Sequence, residues 1–220
     1  MKLIDLSLTI QPHWRWAIEQ KRTLAHSAAD PYQVTIISLS VHAFTHVDTP
    51  LHIAPDEITI DKVPLEHLAG PAALLDLTYV EANQEIDRSD LEKVGGHIQN
   101  GDIVLLKTAW DEKRNPMSRH YWSEAPYVGE EAAIWLAKQP IKAVGFDFPQ
   151  DYVTREIPQR HPPPEEMPTH HHILGKGIYL VEYLCNLHQI KRERVTFFAV
   201  PLKVRNAEGA PTRALAMLDE

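Results

Sequence analysis

Cysteine is nearly absent from this 220-residue chain: Cys185 stands alone, so no internal disulfide and no thiolate metal cage can form. It sits in the apolar run LVEYLCNL and reads as a buried structural thiol, in keeping with a reducing compartment. Glycine is scarce too, with nine residues, and no glycine-rich phosphate loop follows the first β-like run, which argues against a dinucleotide fold. No apolar stretch approaches the roughly twenty residues of a membrane span, and MKLIDLSLTI is broken by Asp5 too early for a signal-peptide core. The expectation is a cytoplasmic protein with no membrane partner. Positive charge is also in deficit: 22 Lys and Arg against 30 Asp and Glu give a formal −8, so a nucleic-acid partner is not expected. The one basic run, Lys191 to Arg194, contains a glutamate and reads as a solvated turn.

What is present has globular composition, 44% hydrophobic and 24% charged, and no internal repeat or composition shift marks a boundary within residues 1–220. Runs rich in β-branched and aromatic residues at 2–10, 32–41, 72–80, 102–110, 142–148, 178–184, 195–204 and 212–218 predict strands. DRSDLEKVGGHI, opening on Asp87 or Ser89 as N-cap, and GEEAAIWLAKQ, with Ala132, Ala133, Leu136 and Ala137 on one face, predict helices. The pattern predicts a single α/β domain with a mixed β-sheet. One segment breaks the rhythm: residues 149–169 carry six prolines, the signature of a lid, a binding loop or an arm, and end directly at His170, His171 and His172.

The densest chemistry lies in HAFTHVDTPLH, residues 42–52. His42, His46, Asp48 and His52 all fall on even positions, so an extended backbone turns them to one face. A helix fails, because Thr45, Val47 and Thr49 are poor helix formers and Pro50 disrupts the interior. A flat strand fails as well. At about 3.3 Å per residue it would hold the Cα atoms of His42 and His46 roughly 13 Å apart, too far for both rings to reach one ion. The chain must therefore bend between them, and two imidazoles and a carboxylate then converge, with His52 nearby as an acid or base. This donor set suits Zn²⁺, Mn²⁺ or Fe²⁺. Downstream, Glu182 lies in the apolar run IYLVEYL, where a carboxylate demands a cationic partner, either an ion-pair residue or a metal.

These segments resemble the cyclase-like metal-dependent hydrolases, the family of bacterial kynurenine formamidase and isatin hydrolase. HAFTHVDTPLH is similar to that family's H-x-G-T-H-x-D-x-P-x-H at every fixed position but one, and HHHILGKGIYLVEYL is similar to its later histidine, turn and glutamate. Weaker likenesses in IDLSLTI, LLKTAW, AVGFDFPQDY and FFAVPLKV extend the resemblance over nearly the whole chain. The family's spacing of twelve residues before the glutamate selects His170 among the three histidines. By that resemblance His42 and His46 bind one metal, Asp48 and Glu182 bridge two, His170 completes the second, and His52 transfers protons. It further implies a swivelling β/β/α-type fold, one or two divalent ions (zinc first, manganese the alternative), and a homodimer or homotetramer.

The resemblance implies hydrolysis of a small amide C–N bond, foremost an aryl formamide like N-formylkynurenine of tryptophan catabolism. The alternatives are an isatin-like lactam opening, cyclase or lyase chemistry on the same metal, and a non-catalytic metal-binding member. Trp14, Arg15 and Trp16 are expected either to line the pocket, the indoles stacking a flat substrate and Arg15 pairing its carboxylate, or to cap the sheet edge. Three positions depart from the family pattern. Phe44 replaces the motif glycine at the bend and is expected in the pocket wall, IQPHWRWAIEQ lacks the Pro-Gly-Asp element, and FDFPQDY lacks the serine of D-x-x-S-x-D.

Overall fold

Apolar runs form the strands, and their order in space differs from their order in the chain. The computed structural model describes residues 1–157 and 159–218; Pro158 of the proline-rich segment, Asp219 and Glu220 lie outside the described residues. The strands are β1 (Lys2–Asp5), β2 (Glu19–Leu24), β3 (Val34–Ser38), β4 (His46–Asp48), β5 (Ala69–Asp76), β6 (Glu85–Ile86), β7 (Asp102–Lys107), β8 (Tyr127–Val128), β9 (Ile141–Phe146), β10 (Tyr179–Glu182), β11 (Arg194–Phe198), β12 (Gly209–Pro211) and β13 (Leu215–Leu218). The α-helices are α1 (Arg88–Val94), α2 (Trp110–Lys113), α3 (Arg119–Ser123) and α4 (Glu130–Ala137).

Nine strands form one mixed sheet in the order β1-β13-β11-β5-β7-β9-β10-β4-β12. The four central strands, β5, β7, β9 and β10, run parallel, and the other five strands of this sheet pair antiparallel. The sheet curls: past β1, Ser7 bridges back to Leu184 just beyond β10. Parallel strands are covered on both faces, which is why all six residues of β7 are buried. Val104 and Leu106 face a core shared with Ala132, Ala133 and Leu136 of α4, while Ile103 and Leu105 face a second core inside the curl, with Leu6, Val47 and Phe197. Asp102 at the start of β7 is buried and held by Arg194 through two bonds of 2.6 and 2.7 Å.

The mixed α/β architecture is the expected one, and the differences lie in lengths and partners. Asp87 is the N-cap of α1, exchanging bonds with Asp90 in a capping box. Strand pairing in the run at 2–10 ends at Asp5 apart from the Ser7 bridge, that at 195–204 ends at Phe198 and that at 212–218 starts at Leu215 apart from a bridge between Pro201 and Thr212. The run at 32–41 does not enter the main sheet. It supplies β3, which pairs only with β2, a strand whose sequence EQKRTL carries no apolar alternation. The proline-rich segment is built from 3₁₀ turns at Tyr152–Glu156 and Pro164–Glu166. Its ends are tied together by Asp151, which accepts from the Thr169 backbone N–H (3.0 Å) and hydroxyl (2.9 Å).

Leu105, fully buried in the central strand, anchors the inner core. Leu105→Ala is expected to destabilise the fold by about 2–5 kcal/mol, read as a lowered midpoint in urea unfolding with an unchanged slope.

Candidate metal centre

The required bend occurs at Phe44, whose φ of +60° lies in the left-handed region that glycine occupies without strain. Packing offsets the cost: the Phe44 ring is buried, with the Trp16 ring centroid 4.7 Å away. The bend also turns the Phe44 carbonyl to accept from His46 Nδ1 at 2.8 Å. Beyond it only His46–Asp48 remain strand, with His46 opposite Glu182 of β10 and Asp48 opposite Gly209 of β12. The site therefore lies at the carboxyl end of the parallel strands, where open α/β sheets place their ligands.

His42 Nδ1 lies 2.7 Å and His46 Nε2 3.1 Å from Asp48 Oδ1. On the other side, His170 Nε2 lies 3.9 Å from Asp48 Oδ2 and 3.5 Å from Glu182 Oε1, and His46 Nε2 is 3.8 Å from Glu182 Oε2. The donor atoms thus fall into two groups, His42–His46–Asp48 and Asp48–His170–Glu182, each spanning no more than 4.8 Å and sharing Asp48. His46 Nε2, Asp48 Oδ2 and Glu182 Oε1 are buried without a hydrogen-bond partner. Three such atoms in one cavity form a costly set that divalent cations would satisfy, so these residues fit a metal. Gly209 leaves room for the arrangement: a Cβ there would come within 2.7 Å of the Val47 carbonyl and 3.1 Å of Asp48 Oδ1.

Each histidine has its outer nitrogen engaged. His46 donates from Nδ1 to the Phe44 carbonyl, His170 Nδ1 faces Asp151 Oδ2 at 2.8 Å, and His42 Nε2 faces Glu208 Oε1 at 3.2 Å. These partners turn the opposite nitrogen of each ring toward the carboxylates, as ligand histidines require. Burial disfavours protonation of His46 and His170, yet facing carboxylates hold both up at about 9. Burial raises Glu182, with the Asp48 charge adding to the effect; for Asp48, the neighbouring histidines overcome burial and hold it well below the usual range. His52, on the 3₁₀ turn Pro50–His52, is 4.0 Å from His42 by ring centroids. Burial pushes it down to about 4, with Asp48 opposing and the neighbouring histidines adding to the drop, so it is a neutral imidazole at pH 7.

A cavity of about 210 Å³ opens onto these residues, walled by Arg15, Trp16, Ile157, Met167 and Tyr183. Trp14 and Phe44 are not part of that wall. Trp14 is partly exposed beneath the Arg119 guanidinium at 4.4 Å, and Phe44 backs Trp16 from behind. Arg15 stacks on Trp122 at 4.3 Å and donates to the Thr154 and Ile157 carbonyls, joining its own loop to the proline-rich one. His170 is buried within the π-turn Thr169–Ile173, whereas His171 is exposed and His172 faces Glu130 at 3.4 Å. Asp151 and Glu208 escaped the sequence reading. The only trace of Asp151 was its place in FDFPQDY, and nothing near Glu208 marked it.

A curled mixed sheet with a His/Asp/Glu centre at the carboxyl ends of its parallel strands defines a hydrolase-type metal site. A family model described as putative cyclase matches residues 4–150, more than half of the chain, and the chain belongs to that family. It is 28% identical over 219 residues to a kynurenine formamidase of Erythrobacter litoralis (strain HTCC2594), covering 97% of this chain and 93% of that one. Among solved structures it is similar to a potential metal-dependent hydrolase with cyclase activity, at 28% identity and a TM-score of 0.74 over 100% of this chain and 98% of that one. Isatin hydrolase A from Labrenzia aggregata shares the fold, with a TM-score of 0.79 and 24% identity over 100% of this chain and 94% of that one.

Two predictions follow from the geometry. His46 and His170 titrate near 9 in the metal-free fold against a reference of 6.5. Their contribution to stability is complete below pH 6.5 and lost as pH rises through 9. The melting temperature of metal-stripped protein should fall across that window, and saturating metal should flatten the profile, because the cation takes over the balancing of the carboxylates. Gly209→Ala should keep the overall fold by circular dichroism and lower metal stoichiometry by elemental analysis, since the added methyl must displace the Val47 carbonyl and Asp48 Oδ1 locally.

Proposed function

We propose that the chain is a metal-dependent amidohydrolase that adds water across the C–N bond of a small aryl formamide, with N-formylkynurenine the first candidate. The observation that carries this reading is the pair of donor groups sharing Asp48, with the neutral His52 beside them. The likeness to kynurenine formamidases over most of the chain supports the same reaction class. The two groups would hold one or two divalent ions, with Asp48 common to both and Glu182, 3.8 Å from His46, near the first as well as in the second; two imidazoles and a carboxylate suit zinc first and manganese second. When bound, the metal would supply an activated water near neutral pH and a polarised carbonyl. His52 accepts a proton from the attacking water and delivers it to the leaving nitrogen, so that formate and an aryl amine depart. Trp16 offers its ring to a flat substrate, and the Arg15 bonds to Thr154 and Ile157 hold the cavity roof. The same reading takes the protein as a cytoplasmic homo-oligomer.

At about 210 Å³ the cavity is below the roughly 300–1,000 Å³ of common ligand sites, which favours a compact substrate. That size supports a second substrate, an isatin-like lactam, opened by the same residues. Metal-loaded protein should hydrolyse a simple aryl formamide, N-formylkynurenine or isatin; full metal occupancy with no turnover on any of the three would overturn the amidohydrolase reading. His52→Ala should retain its metal and lose about 10²–10⁴-fold in kcat, whereas Asp48→Ala should lose metal while remaining folded. Elemental analysis beside steady-state kinetics separates the two outcomes.

A further inference from the structure

A second cavity, of about 380 Å³, meets the catalytic one only at Trp16: among the described residues that ring alone borders both. Its volume falls within the roughly 300–1,000 Å³ of small-molecule sites. Four aromatic rings border it and touch one another. His13 and Trp16 lie 4.7 Å apart by ring centroids, Trp16 and Phe44 4.7 Å, and Trp16 and Trp122 5.2 Å. The fixed charges on its border are of one sign, Asp5 and Asp111, with no lysine or arginine among the described residues that line it. His13 adds no charge at pH 7, because burial lowers its pKa.

The two carboxylates differ in what balances them. Asp5 is held by the Arg213 guanidinium through two bonds of 2.8 and 2.7 Å. Asp111 has no such partner. Its Oδ2 accepts from the Asn186 backbone N–H at 2.7 Å, while Oδ1 is shielded from water and without a hydrogen-bond partner. Burial pushes the Asp111 carboxyl up, and Glu112 and His188 act on it in opposite directions.

We infer that this cavity binds a small quaternary ammonium compound, at a site separate from the metal centre. Aromatic faces attract a cation through the ring quadrupole, most strongly those of indoles, and the cavity has two. An Oδ1 atom that water does not reach gains nothing from a ligand that must donate a hydrogen bond to it. A quaternary ammonium acts on it by charge alone, across a few ångströms of poorly solvated space. One unbalanced carboxylate matches one positive charge, which excludes an anion, and the apolar surface of Leu8, Pro116 and Met117 suits methyl groups and not the hydration shell of a metal ion. None of this rests on which bond the metal centre cleaves.

Isothermal titration calorimetry of the full chain tests it with choline and benzyltrimethylammonium as probes. Choline should bind one to one, and its uncharged isostere, in which a quaternary carbon replaces the nitrogen, should bind about tenfold more weakly or worse. Asp111→Asn should weaken choline by about tenfold while leaving the circular dichroism and formamide hydrolysis unchanged. Met117→Trp, which fills the cavity from its border, should abolish binding of both cations and also keep the fold. No binding of either cation at millimolar concentration would overturn the inference. Equal affinity for choline and the isostere would make the cavity a neutral apolar site, and undiminished binding in both variants would place the cation elsewhere; each overturns it as well. Formamide hydrolysis by the wild type is measured without these probes, so failure here leaves the amidohydrolase reading standing.

Discussion

Two carboxylates buried in one small cavity set the terms for everything around them. Asp48 and Glu182 are each almost fully shielded from water, and each would be strongly penalised as an unpaired anion. Without metal, protons on His46 and His170 meet that demand; a bound cation would meet it instead, with the same imidazoles available to hold it. The same atoms serve both states, which is why the outer nitrogens of the three rings are fastened elsewhere, to Phe44, Asp151 and Glu208. The rings need not rotate when the charge inside the cavity changes hands.

The curl of the sheet makes this constellation possible. β4 is only three residues long, yet it is clamped between β10 and β12, so His46 and Asp48 are placed by backbone pairing on both sides. Glu182 is delivered from the directly paired position on β10, and the Thr45 hydroxyl adds a 2.6 Å bond to the Tyr183 carbonyl just past it. A site made from neighbouring strands inherits the precision of the ladder. His42 and His170 come from outside the ladder, His42 from the turn before β4 and His170 from the π-turn Thr169–Ile173, and His170 is the histidine whose partner, Asp151, is itself buried and multiply bonded.

Much of the centre was legible because strand periodicity and reach are simple geometry. The even spacing of His42, His46, Asp48 and His52 implied a shared face, the reach of an imidazole implied a bend, and the bend lies at Phe44. His170 could not be separated from His171 and His172 by local pattern, since a π-turn decides which ring points inward; the family spacing made that choice. Trp14 and Phe44 show the limit of composition: they were expected to line the cavity, but Phe44 packs against Trp16, and Trp14 packs against Trp122 beneath Arg119, neither on the wall. β2 was invisible because a ribbon exposed on both faces needs no apolar alternation, whereas VTIIS was expected as a strand and is one, outside the main sheet. Asp151 and Glu208 act across long sequence separations, which no local pattern encodes.

Asp151 joins Thr169 across a sequence separation of 18, and the same carboxylate fixes the ring that follows. Ile157 and Met167, which lie between those two anchors, form cavity wall. The wall can therefore be recut at these two side chains while the carboxylate bonds that hold the His170 ring stay in place.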